Sequence, residues 1–203
     1  MQGLPNIGAT CWLNALLQCM RVARKWNETS DDPFTFDFLK LVRCDTDNTT
    51  DFLKNLPTDP FSPGPNDSQE ALIYILDKLE KTIGLKDFNG EVTQTIVFPG
   101  GKSTTKTPCT VWFHSEKDDV IENYEDSSGN IHKVSVIQRR LTRVPKILVS
   151  DHIEESLFEK QLVGIVHWGW GHYVAFVKKD GEWYCANDES ISKVTPIRKG
   201  YLG

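Results

Sequence analysis

Apolar residues recur at helical spacing through the first part of the chain and then give way to short alternating runs. From Thr10 onward, Leu13, Leu16, Leu17 and Met20 fall on one side and Asn14, Gln18 and Arg21 on the other, which predicts an amphipathic helix. Asp32-Pro33 opens a second apolar segment, Phe34 to Val42, with Asp as cap and Pro in the first turn. Thr50 to Leu56 predicts a short third helix. Prolines at 57, 60, 63 and 65 exclude helix and central strand from that stretch, which must be a loop. A strong helix follows: Asp67 or Ser68 caps it, Leu72, Ile75, Leu76, Leu79 and Ile83 form its buried stripe, and Gly84 ends it.

After Gly90 the period changes. Strands are expected at Val92–Phe98, Thr110–Phe113, His132–Ile137, Lys146–Ser150, Leu162–His167, Tyr173–Lys178 and Glu182–Ala186. Turn-forming stretches separate them, among them Pro99-Gly100-Gly101-Lys102 and Asp126-Ser127-Ser128-Gly129-Asn130. Helices over about 1–90 and an antiparallel sheet over about 91–203 make an α+β fold within one domain, with a cleft where the two parts meet.

Composition narrows the function. The formal charge is −5 with no long basic run, which argues against nucleic acid and suits a positively charged peptide. No run is long and apolar enough to span a membrane, and the N-terminus lacks a signal-peptide pattern. The five cysteines, Cys11, Cys19, Cys44, Cys109 and Cys185, are scattered, odd in number and without a CxxC pair. A disulfide framework or structural zinc is therefore not expected, no cofactor is implied, and a reduced, cytoplasmic chain is.

Two regions carry candidate chemistry. Cys11 follows Gly8-Ala9-Thr10 at the start of the first helix, whose N-terminal partial charge favours thiolate over thiol. A nucleophilic cysteine also needs a base. Far along the chain, Asp180-Gly181 between alternating strands signals a two-residue hairpin loop. Counting outward from Lys179 opposite Glu182, Val174 falls opposite Asn187, so His172 shares a face with Asn187 as its diagonal neighbour. A one-residue slip would give that place to Asp188 instead. In an acyl-transfer site the third residue holds the His Nδ1–H while Nε2 faces the nucleophile. His114, His132, His152 and His167 have no such partner in view.

These residues resemble a known family. Gly3-Leu4-Pro5-Asn6-Ile7-Gly8-Ala9-Thr10-Cys11-Trp12-Leu13-Asn14-Ala15-Leu16-Leu17-Gln18 resembles the cysteine box of the ubiquitin-specific proteases. Gly171-His172-Tyr173-Val174-Ala175, with Trp183-Tyr184 and Asn187-Asp188, resembles their histidine box. Asp67-Ser68-Gln69-Glu70 resembles a weakened acidic segment of that family, and Arg143-Val144-Pro145-Lys146-Ile147-Leu148-Val149 one of its strands. The resemblance implies a papain-like fold with helical thumb and β palm. It implies Cys11 as nucleophile, His172 as base, Asn187 (or Asp188) as its orienting partner and Asn6 as an oxyanion donor. It implies too that Asp67 and Glu70 receive basic residues of a substrate tail, although a helix N-cap and first-turn acid explain both equally. Trp170, Gly171 and Tyr173 would wall a channel that only glycine passes.

The chain departs from the family where its fingers carry CxxC pairs: here it reads Thr95-Ile96-Val97-Phe98-Pro99-Gly100, so the fingers are expected to be reduced or absent. Trp12, where cellular members have Tyr, is similar to picornavirus leader proteases, and the small size to papain-like proteases of nidoviruses such as toroviruses. The expected activity is hydrolysis after the C-terminal glycines of ubiquitin or the interferon-induced ubiquitin-like modifier, with processing of a viral polyprotein in the host cytoplasm as a companion role. The rival expectations are a dedicated polyprotein protease, an acyltransferase, and an inactive ubiquitin-binding module, which would be expected to have lost Cys11 or His172.

Overall fold

The computed structural model describes residues 1–112, 119–121, 123–132, 135–150 and 162–195. The helices are α1 (Cys11–Ala23), α2 (Pro33–Arg43), α3 (Thr50–Lys54) and α4 (Ser68–Ile83). Their ends follow the sequence signals. Asp32 accepts from the Thr35 N–H at 2.9 Å, and Cys44 closes α2 in the left-handed region. Asp67 caps α4, accepting from the N–H groups of Gln69 (2.8 Å) and Glu70 (2.9 Å), and Gly84 ends it with φ 66°. The helical core is aromatic: Phe34, Phe38 and Phe52 are buried against one another, with Trp26 set edge-on to Phe38. Trp12 stacks on Phe61 at 6.0 Å, which ties the proline-rich loop to α1.

The strands are β1 (Gly90–Phe98), β2 (Gly101–Cys109), β3 (Val111–Trp112), β4 (Asp119–Ile121), β5 (Tyr124–Glu125), β6 (Ile131–His132), β7 (Ser135–Arg143), β8 (Val149–Ser150), β9 (Gly164–Gly169), β10 (His172–Lys179), β11 (Glu182–Asn187) and β12 (Ser190–Val194). Two compact units are present. The first holds residues 1–85 with 162–195, so the C-terminal strands belong with the helices; the second holds the described residues from 86 to 150.

In the first unit β12-β11-β10-β9 form an antiparallel sheet, and α1 packs on it. The contact is built from small residues: Ala15 meets Ala175, Val177 and Ala186, with Cys19 beside them. Gly164 lets β9 approach the helix, since a Cβ there would stand 3.1 Å from the Cys19 sulfur. In the second unit β2-β1-β7-β4 form a second antiparallel sheet.

The α+β reading holds, with differences in detail. β2 and β12 were not expected, because Lys102 to Thr107 and Ser190 to Lys193 are largely polar and show no alternation. The expected strand His132–Ile137 divides between β6 and β7, and β7 continues to Arg143. β3 and β8 pair in parallel, not antiparallel, and each is two residues long; Phe113 lies outside the described residues.

Candidate active site

The loop before α1 is tightly turned and leaves the helix tip buried, with Cys11 only 8% exposed, where a thiol open to solvent was expected. Gly8 (φ 102°) and Ala9 (φ 58°) both adopt left-handed backbone, the former readily, the latter at a steric cost. The turn is held by its own polar groups: the Thr10 N–H donates to Asn6 Oδ1 at 3.0 Å, and the Ile7 N–H to Thr10 Oγ1 at 3.2 Å. Cys11 is therefore the first helical residue. No acid sits in the first turn of α1, so the partial positive charge of the helix N-terminus is not offset there.

The β10–β11 hairpin carries His172 at the start of one strand and Asn187 at the end of the other. Asp180 (φ 52°) and Gly181 (φ 82°) form the two-residue turn, Lys179 pairs with Glu182, and the ladder runs to Ala175 opposite Ala186. This is the register the spacing predicts. His172 Nε2 and Asn187 Oδ1 lie 2.7 Å apart, while Asp188 Oδ2 stands 3.8 Å from the same nitrogen. The ring is turned the other way from expectation: Asn187 holds Nε2, not Nδ1. The two residues are diagonal neighbours, whose Cβ atoms are farther apart than those of an opposed pair, and the outer ring nitrogen bridges the gap. Because Oδ1 only accepts, Nε2 carries the proton in this bond, and Nδ1 takes no part in it.

Asp188 has other partners. It sits in the left-handed region (φ 50°) just past β11, and its backbone oxygen accepts from the Leu4 N–H at 3.0 Å. Its Oδ2 accepts from Asn6 Nδ2 at 2.9 Å and its Oδ1 from Asn14 Nδ2 at 2.8 Å. The loop carrying Asn6 and the turn following Asn187 are thereby joined. Asn14 was read from sequence only as part of the polar side of α1. It is 1% exposed, and its burial was not legible in the helical period.

Of the residues expected to meet substrate, Tyr173 faces the N-terminus of α4. Burial first, then the charge of Asp67, push its hydroxyl upward in pKa; a bond from the Ser68 backbone opposes this, and Cys11 adds a smaller upward push. Tyr173 thus feels the charge at the α4 cap and, more weakly, that of Cys11. Asp67 and Glu70 border an open groove of about 520 Å³ that also involves Phe61, Ile73 and Tyr74. Trp170 and Gly171 form the β9–β10 turn with φ 57° and 76°, and Trp170 is fully exposed. His132 pairs with Asp126 at 3.0 Å and stacks on Phe98, and His167 tilts against Phe176. His114 and His152 lie outside the described residues. Among the described residues no three His, Cys, Asp or Glu side chains gather closely enough to hold a metal ion.

No curated protein matches the chain in sequence. A chain in the structure of the SAGA Ubp8/Sgf11/Sus1/Sgf73 DUB module is similar in fold, with a TM-score of 0.64 and 18% identity. The match covers 100% of this chain and 65% of that one, so this chain spans about two thirds of its neighbour's length. The family model described as ubiquitin carboxyl-terminal hydrolase matches residues 2–202. The chain belongs to the ubiquitin carboxyl-terminal hydrolase family.

Proposed function

We propose that this chain is a thiol-dependent hydrolase that cleaves the peptide or isopeptide bond after the C-terminal Gly-Gly of ubiquitin or a ubiquitin-like modifier. The observation that carries the reading is the 2.7 Å contact between His172 Nε2 and Asn187 Oδ1, on a sheet packed against the helix that begins at Cys11. In this scheme the Cys11 thiolate attacks the carbonyl of the terminal glycine. Asn6 Nδ2 and the Cys11 backbone N–H hold the oxyanion, each such donor being worth about 3 kcal/mol in the transition state. His172 protonates the departing amine from Nδ1, then takes a proton from water, which releases the acyl group as a carboxylate. Asn187 keeps the ring in that tautomer throughout. Asp67 and Glu70, beside the groove at the start of α4, suit the basic residues of a modifier tail.

Cys11→Ala is expected to abolish turnover of a ubiquitin C-terminal amide reporter and the covalent adduct with a reactive ubiquitin C-terminal probe, with an unchanged thermal midpoint. Full activity in that variant would sink the proposal. A second reading, a viral protease that also or chiefly processes its own polyprotein in the host cytoplasm, is favoured by the stretch Thr95 to Gly100. It lies in β1 and the following turn and offers no cysteine pair. Cleavage of peptides ending in Gly-Gly with ubiquitin left untouched would select that reading, and the interferon-induced modifier belongs in the same panel.

A further inference from the structure

Asn14 lies one turn into α1, with 1% of its surface exposed, and its side chain is surrounded by oxygen. Its Nδ2 faces Leu4 O at 3.2 Å, Pro5 O at 3.1 Å and Asp188 Oδ1 at 2.8 Å. All three are acceptors, so the amide must turn its NH₂ toward them, and the opposite orientation would set four oxygens against one another. Two hydrogens serve the three acceptors. The other end, Oδ1, is buried with no partner among the described residues, a cost set against the three bonds at Nδ2.

What Asn14 holds is the environment of Asn6. It fixes the carbonyls of Leu4 and Pro5, the backbone leading directly into Asn6. It also fixes one oxygen of the Asp188 carboxylate, whose other oxygen accepts from Asn6 Nδ2 at 2.9 Å. Asn6 itself is exposed, and an exposed amide rotates freely unless both ends are held. Here the Thr10 N–H holds Oδ1 at 3.0 Å and Asp188 takes one hydrogen of Nδ2, which leaves the second hydrogen for a ligand. Asp188 cannot do this alone, because it sits in a surface turn; Asn14 anchors it to a packed helix.

We infer that Asn14 is a positioning residue for the oxyanion-binding amide of Asn6, acting through Asp188 and the Leu4–Pro5 backbone. The inference rests on the hydrolase reading above and assigns to that site a residue that never touches substrate. The same carboxylate lies 3.8 Å from His172 Nε2, so one group borders both the base and the oxyanion donor.

A double-mutant cycle tests it. Asn14→Leu, Asn6→Ala and the double variant are assayed on the ubiquitin amide reporter, with kcat expressed per active site titrated by the reactive ubiquitin probe. Asn14→Leu is expected to lower kcat at least about tenfold, approaching the roughly 10²–10³-fold loss typical of a missing oxyanion donor, with KM within about twofold. The double variant is expected to be no worse than Asn6→Ala, because the second change removes support for a group already gone. Multiplicative losses, an effect confined to KM, or unchanged kcat in Asn14→Leu would overturn the inference. Should Asn14→Leu fail to fold, Asn14→Ser, which keeps a shorter donor, runs through the same cycle with the same criteria. Wild-type protein that neither turns over the reporter nor takes the probe overturns the hydrolase reading and this inference with it. Wild-type turnover with a multiplicative cycle overturns the inference alone.

Discussion

Five thiols share this chain, and their surroundings sort them. Burial pushes the Cys19 thiol up to about 12, and raises Cys109 and Cys185 as well. Cys44 is exposed at the end of α2, whereas Cys11, at the start of α1, is buried. Limiting iodoacetamide at pH 8 is therefore expected to label Cys44 first and Cys19 last, as read by peptide mass mapping; early labelling of Cys19 would contradict this. At this scale the cysteine and histidine were legible in their motifs, and the parity of the hairpin marked Asn187 as the partner on the His172 face. The ring nitrogen it meets was not legible, because alternation gives the face of a residue and not the distance across a diagonal. Asn14 was missed for a different reason. The polar side of a helix is solvent-facing only if nothing covers it, and every residue of α1 from Cys11 to Gln18 is buried.

At the scale of elements, the observed cap of Asp67 and its proposed part in substrate binding can be separated by substitution. Asp67 caps α4, and its charge borders the groove that Glu70 shares. Asp67→Ala should cost about 1 kcal/mol in urea denaturation through loss of the cap. Asp67→Asn keeps a capping oxygen but not the charge, so it should hold stability and raise KM for the ubiquitin reporter. Unchanged KM in Asp67→Asn would reduce the residue to its cap. Helix ends were the most legible elements, since Asp32, Asp67 and Gly84 each act through their own local backbone. β2 and β12 were the least. Their cohesion comes from ladders with β1 and β11, which a one-dimensional pattern of exposed Lys, Thr and Ser does not reveal.

For the whole molecule, the division into units did not follow the boundary between helices and strands. The last four strands pack with the first helix because small residues, Ala15, Ala175 and Ala186, let them approach, and such residues carry little signal in a sequence. Stability should also depend on acid in the second unit. A hydrogen bond from His132, then bonds from Asn130, hold the Asp126 carboxyl well below the usual carboxylate range. A depressed folded pKa stabilises above the unfolded value, near pH 4, and the contribution fades as pH falls below it. Asp126→Asn should thus lower the urea midpoint at pH 6, with the gap to wild type narrowing from pH 4 to pH 2; a gap that stays constant would argue against it.

The bond from Asn6 to Asp188 spans 182 residues of chain, and that from Asn14 to Asp188 spans 174. Both close loops nearly as long as the protein, the slowest kind of contact for a folding chain to make. During synthesis Cys11, Asn6 and Asn14 emerge early, while His172, Asn187 and Asp188 follow on β10 and β11 and the turn after them. A nascent or truncated chain that stops short of Asn187 lacks the Asn187 partner of His172 and the Asp188 partner of Asn6. Under the hydrolase reading proposed above, the site is therefore completed in a single late step of folding.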